Sequence, residues 1–258
     1  MRFVAGYHTD VGTTKETNQD SLSIKIVDTP DGMVCFAVVC DGMGGLAKGE
    51  LASKEVIFAM SEWFDGTFLY EVERGSFDED SLINEWNDII QEQNIRLSRY
   101  GKRNGFQLGT TITAMLIYKN QYYIVHVGDS RAYRLTDACV QLTKDQTLVQ
   151  REVDAGRLDP RRVESDPRRS ILLQCVGASP VVEPDFMKGK VTPDSVYMLC
   201  SDGFRHHISD MEIINSLGPA TVYGETEISE NIRKLTELDM QRRETDNITA
   251  LAVRVFEV

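Results

Sequence analysis

The feature that most constrains the fold is the stretch of residues 33–45, where an unbroken apolar run stops at an aspartate and then turns on glycines. Residues 33–39 are strong β-formers in a short run bounded by turn residues, which predicts a buried strand rather than a helix. Asp41 lies at the end of that strand, where a carboxylate is costly unless another group compensates its charge. The glycines that let the backbone come close to such a group are Gly42, Gly44 and Gly45. We therefore expect a metal ion or a phosphate beside Asp41.

The same arrangement recurs at other apolar runs. Residues 195–200 lead into Asp202, residues 122–127 lead into Asp129, and the pair Asp246-Asn247 immediately precedes the run 248–255. A single Asp-Gly pair is most often only a turn. Strand ends that each carry an aspartate make an acidic cluster if they converge, and carboxylate oxygens suit hard cations such as Mg²⁺ and Mn²⁺. The repetition therefore predicts a divalent-metal site.

Composition and charge limit the class of protein. The chain has 258 residues, of which 41% are hydrophobic and 26% charged, and we expect one domain over 1–258. No window approaches the ~20 apolar residues of a membrane span, and the N-terminus lacks the apolar region of a signal peptide, so we expect a cytoplasmic protein. The net charge of −12 disfavours binding to nucleic acid or to an anionic membrane. We also expect a monomer.

Cysteine and histidine usage argues against zinc and against a protein nucleophile. The five cysteines lack CxxC spacing and mostly lie in or beside apolar runs, which is typical of reduced, buried thiols. Only His206 and His207 are adjacent among the four histidines, so a His/Cys zinc site has little support. No convincing Ser-His-Asp or Cys-His arrangement is present in the sequence.

The order of the predicted elements indicates the architecture. Strands are predicted at 3–8, 21–27, 33–39, 107–118, 121–127, 131–135, 139–142, 195–200 and 248–255. Helices are predicted at 48–64, 78–100, 148–155, 210–217 and 225–240, with a turn-like connector at 68–75. This order predicts an α+β protein in which two antiparallel sheets pack face to face with helices outside.

The least regular segment is residues 144–180, and its part from about 145 to 170 is predicted to be a mobile surface flap. It contains the only concentrated basic patch of the sequence: Arg157, Arg161, Arg162, Arg168 and Arg169. Two interpretations stay open, a charge-balanced solvated loop and a substrate-docking surface that selects substrates. Just before this segment, Asp129 and Arg131 are expected to pair locally and brace a loop.

Seven short motifs in register then match a known family. They are Asn18-Gln19-Asp20-Ser21, Asp41-Gly42-Met43-Gly44-Gly45, Gly109-Thr110-Thr111, Gly128-Asp129-Ser130-Arg131, Leu142-Thr143-Lys144-Asp145-Gln146-Thr147, Ser201-Asp202-Gly203 and Asp246-Asn247. The chain thereby resembles the metal-dependent protein serine/threonine phosphatases of the type-2C (PPM) family, in their bacterial form. The match runs nearly end to end. The resemblance implies a four-layer αββα sandwich with a metal cluster at one edge.

The resemblance also implies a site of two Mn²⁺ or Mg²⁺ ions, with a third ion possible in bacterial relatives. Asp41 would bridge the two ions, and the residues implied as metal ligands are Asp20, Asp41, Gly42 (through its carbonyl), Asp202 and Asp246. Asp145, together with Asp202, matches the position of the third metal. Lys15 falls where the family commonly has an arginine that binds the substrate phosphate. Asp41, Asp202 and Asp246 would act in catalysis through a metal-bound water that attacks phosphorus.

The implied substrates are phosphoserine and phosphothreonine on proteins, and the implied partner is a cognate serine/threonine kinase. Three residues depart from the family's common pattern: Gln19 replaces a glutamate, Met43 a histidine, and Lys15 an arginine. A point charge at Lys15 should position phosphate less firmly than a guanidinium fork. The alternatives are a catalytically weak or inactive pseudophosphatase that binds phosphopeptides and, within the enzymes, a hydrolase of small phosphate esters.

Overall fold

The computed structural model describes residues 1–43 and 48–256. Within them, the strands are β1 (Arg2–Asp10), β2 (Ser21–Thr29), β3 (Gly32–Cys40), β4 (Ile112–Tyr118), β5 (Gln121–Val127), β6 (Arg131–Leu135), β7 (Cys139–Gln141), β8 (Asp185–Lys190), β9 (Ser195–Cys200) and β10 (Ile248–Phe256). The α-helices are α1 (Gly49–Trp63), α2 (Leu69–Glu73), α3 (Glu79–Asn104), α4 (Leu148–Asp154), α5 (Asp210–Leu217) and α6 (Glu225–Gln241).

The strands form two five-stranded antiparallel sheets. One sheet has the order β1-β10-β9-β6-β7 and the other has the order β2-β3-β4-β5-β8. Helices α1 and α3 cover the outer face of the second sheet, and α5 and α6 cover the outer face of the first. The predicted αββα sandwich is therefore confirmed.

Strand β3 is apolar throughout because both of its faces are buried. Cys35, Ala37 and Val39 point into the core between the two sheets, whereas Val34, Phe36 and Val38 pack against the helix layer. A strand buried on both faces has no reason to alternate polar and apolar residues. The apolar run that dominates the sequence thus places the backbone of Asp41 at the edge of the sandwich.

The last strand, β10, is built in the same way and faces the opposite helix layer. Ile248, Ala250 and Ala252 pack toward α5 and α6, and Leu251 and Val253 fill the core between the sheets. Small residues on the helix side let α6 lie close to the sheet. The residues that precede β10 therefore reach the same edge of the sandwich as the end of β3.

One local prediction is wrong and one strand was not predicted, each for a physical reason. The connector predicted at 68–75 is mostly helical, since a π-helical turn, Phe64–Phe68, continues α1 into α2. Phe64 and Phe68 are both buried, with their rings stacked at 5.2 Å between centroids, and the burial of both rings favours the extra turn. Strand β8 was not predicted, because an edge strand with charged residues at three of its six positions carries little apolar signal.

The remaining differences concern element ends and the flap. The strand predicted at 107–118 begins only at Ile112, and the helix predicted at 78–100 continues to Asn104. The flap segment consists of α4, a short 3₁₀ turn at Pro160–Arg162 and further turns. None of the helices in the described ranges is long and apolar enough to cross a lipid bilayer.

Candidate metal centre

The backbone of Asp41 is held by the Gly109-Thr110-Thr111 segment. Its N–H donates to Thr111 Oγ1 at 2.9 Å, and its carbonyl oxygen accepts from Thr111 N and from Thr110 Oγ1, each at 2.9 Å. Thr111 Oγ1 also lies 2.8 Å from Ser130 Oγ. The hydroxyls of this motif therefore fix the direction in which the Asp41 carboxylate leaves the strand.

Gly42 is required by a close approach of three chain segments. A Cβ at this position would lie 2.5 Å from the carbonyl oxygens of both Gln19 and Gly49. The Gly42 N–H donates to Gln19 O at 3.2 Å. The close approach at Gly42 is to neighbouring backbone, and the predicted approach to a metal ion or a phosphate stays a prediction. Gly44 and Gly45 lie outside the described residues.

The aspartates at four strand ends share one cavity of about 240 Å³. Its lining residues are Lys15, Asp41, Met43, Thr111, Asp129, Ser170, Leu172, Asp202 and Asp246. The expectation that the strand ends converge is thus met, and Asp129 is one of the four carboxylates. Because Asp129 follows β5 as Asp41 follows β3, the pattern of apolar runs ending in aspartate contained the signal for it.

Asp20 lies behind this cavity and is buried. Ser201 Oγ donates to its Oδ2 at 2.9 Å, while its Oδ1 has no hydrogen-bond partner and no contact with solvent. Burial and the neighbouring charges of Asp202 and Asp246 raise the pKa of Asp20 to about 7. A buried carboxylate oxygen without a partner is the kind of group that a cation satisfies.

The electrostatics of the cavity reflect an excess of carboxylates. Burial, followed by the charges of Asp20 and Asp202, raises the pKa of Asp41 well above its ordinary value. Burial and Asp202 raise the pKa of Asp129 to about 8. Burial also opposes ionisation of Asp202, but hydrogen bonds from His206 and from the Asp41 carboxyl, with the charge of Arg205, hold its pKa below the usual range. The pKa values of these two neighbouring carboxyl groups are therefore shifted in opposite directions.

These residues fit a hard divalent cation. Within residues 1–43 and 48–256, no group of three or more His, Cys, Asp or Glu side chains could hold a metal ion in the arrangement that the structure shows. The donors are instead carboxylate oxygens spread along an open cavity, with Asp20 Oδ1 left unsatisfied beside them. Cations would offset both the burial and the charge repulsion that raise these pKa values, and oxygen-only donors select Mg²⁺ or Mn²⁺ over softer metals.

Asp202 and Asp246 each contact one basic side chain. His206 Nε2 lies 3.4 Å from Asp202 Oδ2, and Lys15 Nζ lies 3.1 Å from Asp246 Oδ1. Burial opposes the charge of His206, but its hydrogen bonds to Asp202 and Glu244 raise its pKa to about 10. Lys15 therefore lines the cavity and contacts Asp246 there, and its binding of a substrate phosphate stays a prediction.

Asp145 is placed differently from the sequence-based expectation. Arg131 donates to both of its carboxylate oxygens, each at 2.7 Å, and Arg205 Nη2 lies 3.2 Å from Oδ2. Asp145 does not line the cavity that Asp129 and Asp202 line. The predicted local pair of Asp129 with Arg131 is wrong, because Arg131 binds Asp145 instead. That exchange of partners leaves the Asp129 carboxylate free to face the cavity.

The Asp246-Asn247 motif contributes a clamp on the N-terminal loop. Asn247 Oδ1 accepts from Gln19 N at 2.9 Å, and its Nδ2 donates to the carbonyls of Val11 at 2.9 Å and Thr17 at 3.2 Å. These bonds fix the loop that carries Lys15 and Asp20. The adjacency of Asp246 and Asn247 was visible in the sequence, but the contact across more than 200 residues was not.

The C-terminal end of the flap, with the residues just after it, reaches the cavity. Ser170 and Leu172 line the cavity, and Leu148 N donates to Ile171 O at 2.8 Å, which ties the two ends of the segment together. The flap arginines pair locally: Arg157 with Glu152, Arg161 with Asp159 and Arg168 with Asp166. Local pairing favours the charge-balanced loop for these three residues.

The fold is an antiparallel β-sandwich whose edge cavity is lined by aspartates from four strand ends, and carboxylate oxygens of this kind suit divalent cations. A family model described as protein phosphatase 2C matches residues 11–225. The serine/threonine protein phosphatase PstP of Mycobacterium tuberculosis is 32% identical over 262 residues, covering 100% of this chain and 45% of PstP. A putative 2C-type phosphatase of Streptococcus pyogenes is 30% identical, covering 95% of this chain and 94% of its own length. The chain belongs to the protein phosphatase 2C family.

Solved structures agree with this membership. A crystal structure of PstP/Ppp from M. tuberculosis has a TM-score of 0.79 at 29% identity and covers 99% of both chains. Stp1 of Staphylococcus aureus has a TM-score of 0.80 at 26% identity, covering 100% of this chain and 96% of its own. The PstP catalytic domain in complex with two manganese ions has a TM-score of 0.78 at 28% identity, covering 99% of this chain and 100% of that one. This chain spans less than half the full length of PstP, 45%.

Proposed function

We propose that this chain is a metal-dependent protein phosphatase that hydrolyses phosphoserine and phosphothreonine monoesters. The observation that carries the proposal is the cavity lined by four aspartates from different strand ends with Lys15 at its rim. Relatives at 30% identity or more are named as serine/threonine or 2C-type phosphatases, which supports the substrate class. We also propose that the chain acts as a monomer in the cytoplasm, where it opposes a serine/threonine kinase in signalling.

The metal site would take two Mn²⁺ or Mg²⁺ ions. The residues proposed to hold them are Asp20, Asp41, Gly42 (through its carbonyl), Asp202 and Asp246. Two manganese ions in the PstP catalytic domain support the number and one choice of metal. When bound, such cations supply a water of lowered pKa and neutralise charge on phosphate oxygens.

The chain's own residues would prepare this chemistry. Thr110 and Thr111 hold the Asp41 backbone so that its carboxylate faces the cavity, and Asp202 stays ionised beside it. Lys15 is 31% exposed, so its ammonium can exchange Asp246 for a substrate phosphate. An ammonium gives a point charge rather than a bidentate fork, so the phosphate oxygens keep rotational freedom there.

For a third cation, Asp129 is the better candidate than Asp145. Asp129 lines the cavity beside Asp202, whereas both oxygens of Asp145 bind arginines. Recruiting Asp145 would require breaking a buried ion pair, which costs about 3–5 kcal/mol. We therefore propose Asp129 with Asp202 as the third position.

Phosphate release from a phosphothreonine peptide tests the function. The wild type should release phosphate with Mn²⁺ or Mg²⁺ and none with EDTA, and Asp41→Asn should lower kcat/KM by about 100-fold or more. Asp65→Asn is the matched control, because Asp65 only pairs with Lys25 on the surface.

A folded wild type without metal-dependent turnover would refute the proposal and favour the phosphopeptide-binding module. The clustered carboxylates argue against that module, since a protein that only binds phosphate gains nothing from acidic groups that repel it.

A further inference from the structure

A buried histidine lies between the two chain segments that carry Asp202 and Asp246. The His206 side chain is 7% exposed, and its Nε2 lies 3.4 Å from Asp202 Oδ2. Its Nδ1 lies 2.9 Å from Glu244 Oε2. The ring therefore joins the turn after β9 to the segment before β10, with one nitrogen for each.

Glu244 continues the connection to the backbone of Asp246. Its other oxygen, Oε1, accepts the N–H of Thr245 at 2.7 Å and the N–H of Asp246 at 2.8 Å. The Glu244 side chain is only 4% exposed, so water does not compete for these bonds. One carboxylate thus holds His206 on one side and the start of β10 on the other.

We propose that His206 and Glu244 are positioning residues of the metal centre, which hold Asp202 and Asp246 at a fixed separation for the same cation. The inference rests on the proposed function, which makes those two aspartates metal ligands. Ligands that are already held by outer hydrogen bonds lose little freedom when the cation binds, and such outer partners are worth about 10–100-fold in metal affinity.

The charge of the imidazole would act in the opposite direction. A cationic ring beside Asp202 repels a metal ion, so if charge were its main effect, removing the ring would tighten metal binding. Positioning predicts that removing it weakens binding. The sign of the change therefore separates the two effects.

Isothermal titration of the metal-free 258-residue chain with Mn²⁺ measures this sign without any need for activity. We expect His206→Ala and Glu244→Ala each to weaken Mn²⁺ binding about 10–100-fold. Glu244→Gln should stay within about 3-fold of wild type, because the amide oxygen still accepts both backbone N–H groups and the amide NH₂ can donate to a neutral His206 ring. The double variant His206→Ala/Glu244→Ala should bind no more weakly than the weaker single variant, since the two residues act as one unit.

His207→Asn is the matched control. His207 is the next residue, its ring is 39% exposed, and it approaches Glu244 only to 3.7 Å. Its Mn²⁺ affinity should equal that of the wild type. If His206→Ala does not fold, His206→Asn serves in its place, because the shorter amide cannot reach both carboxylates.

At saturating Mn²⁺, the variants should recover the wild-type kcat and KM for the phosphopeptide. A general structural defect would instead change KM and kcat at every metal concentration. Unchanged or tighter Mn²⁺ binding in folded His206→Ala would overturn the inference while leaving the phosphatase proposal intact. A wild type that binds no Mn²⁺ would overturn both.

Discussion

Replacing Asp145 by asparagine distinguishes a structural role from a metal-binding role. In the folded protein this carboxylate binds Arg131 through two bonds of 2.7 Å and Arg205 through one of 3.2 Å. The exposed fractions of the Arg131 and Arg205 side chains are only 17% and 7%. An asparagine would keep one acceptor but turn an NH₂ group toward guanidinium donors. Among the described residues, Arg131 would then have no counter-charge, and Arg205 would keep only the contact with Glu164 at 3.7 Å.

The expected loss is large for a single substitution. Removing one partner of a buried ion pair costs about 3–5 kcal/mol of unfolding free energy, which corresponds to a fall of roughly 6–20 °C in Tm for a chain near this size. Asp159→Asn is the control, because Asp159 forms the same type of pair with Arg161 at the surface and asparagine retains its turn-capping oxygen. Its Tm should move far less.

The pH dependence gives a second check on Asp145. Burial opposes its ionisation, but Arg205 and Arg131 hold its pKa below the usual range in the folded protein. Its contribution is therefore complete above the unfolded pKa of about 3.9 and is lost as the pH falls through the lower folded value. The stability difference between wild type and Asp145→Asn should shrink below about pH 4.

The assay is thermal unfolding combined with Mn²⁺ titration below the Tm of each variant. We expect Asp145→Asn to bind Mn²⁺ with wild-type affinity despite its lower Tm. A variant with unchanged Tm and weakened Mn²⁺ binding would refute this reasoning and return Asp145 to the metal centre.

Two further predictions concern close packing and protonation at the site. Gly203→Ala should lower the free energy of unfolding by about 1–3 kcal/mol, because the added Cβ would lie 2.1 Å from the Asn247 carbonyl oxygen. Gly66→Ala is the control in the same denaturant titration, because a Cβ there meets nothing within 4 Å. Equal unfolding midpoints for the two variants would contradict the argument. The raised pKa values of Asp20 and Asp129, about 7 and about 8, predict that the metal-free protein loses stability as the pH rises from about 4 to about 8, since the unfolded chain releases these protons first. Saturating Mn²⁺ should therefore raise Tm more at pH 8 than at pH 6, because at pH 6 the metal ion must displace protons from the carboxyl groups. An equal rise in Tm at the two pH values would count against carboxylate ligands.

The layers of the fold could be predicted because each rests on local periodicity. Strands buried on both faces, such as β3, appear as apolar runs, and helices such as α3 appear as apolar residues spaced three or four apart. Strand β8 could not be predicted in this way, because its place at a sheet edge comes from pairing with β5, whereas its own sequence carries little signal.

The convergence of the aspartates could also be predicted, whereas their partners could not. Apolar runs that lead into Asp41, Asp129 and Asp202 predict that these aspartates lie at strand ends. Which arginine binds which aspartate depends on the directions that side chains take in three dimensions. Arg131 is two residues from Asp129 and 14 residues from Asp145, yet in the folded protein it binds Asp145. His206 and Glu244 are 38 residues apart, and no local pattern links them.

The distribution of cationic side chains separates the structural carboxylates from those available to metal ions. Asp145 pairs with two arginines, and Asp202 and Asp246 each contact a single base, His206 and Lys15. In the described part of the chain, Asp20, Asp41 and Asp129 form no ion pair with a Lys, Arg or His, and these three have raised pKa values. A folded protein keeps uncompensated buried carboxylates at a cost in stability. The carboxylates without a cationic partner are therefore those that would bind divalent cations most strongly. Asp129 belongs to this group, and Asp145 does not.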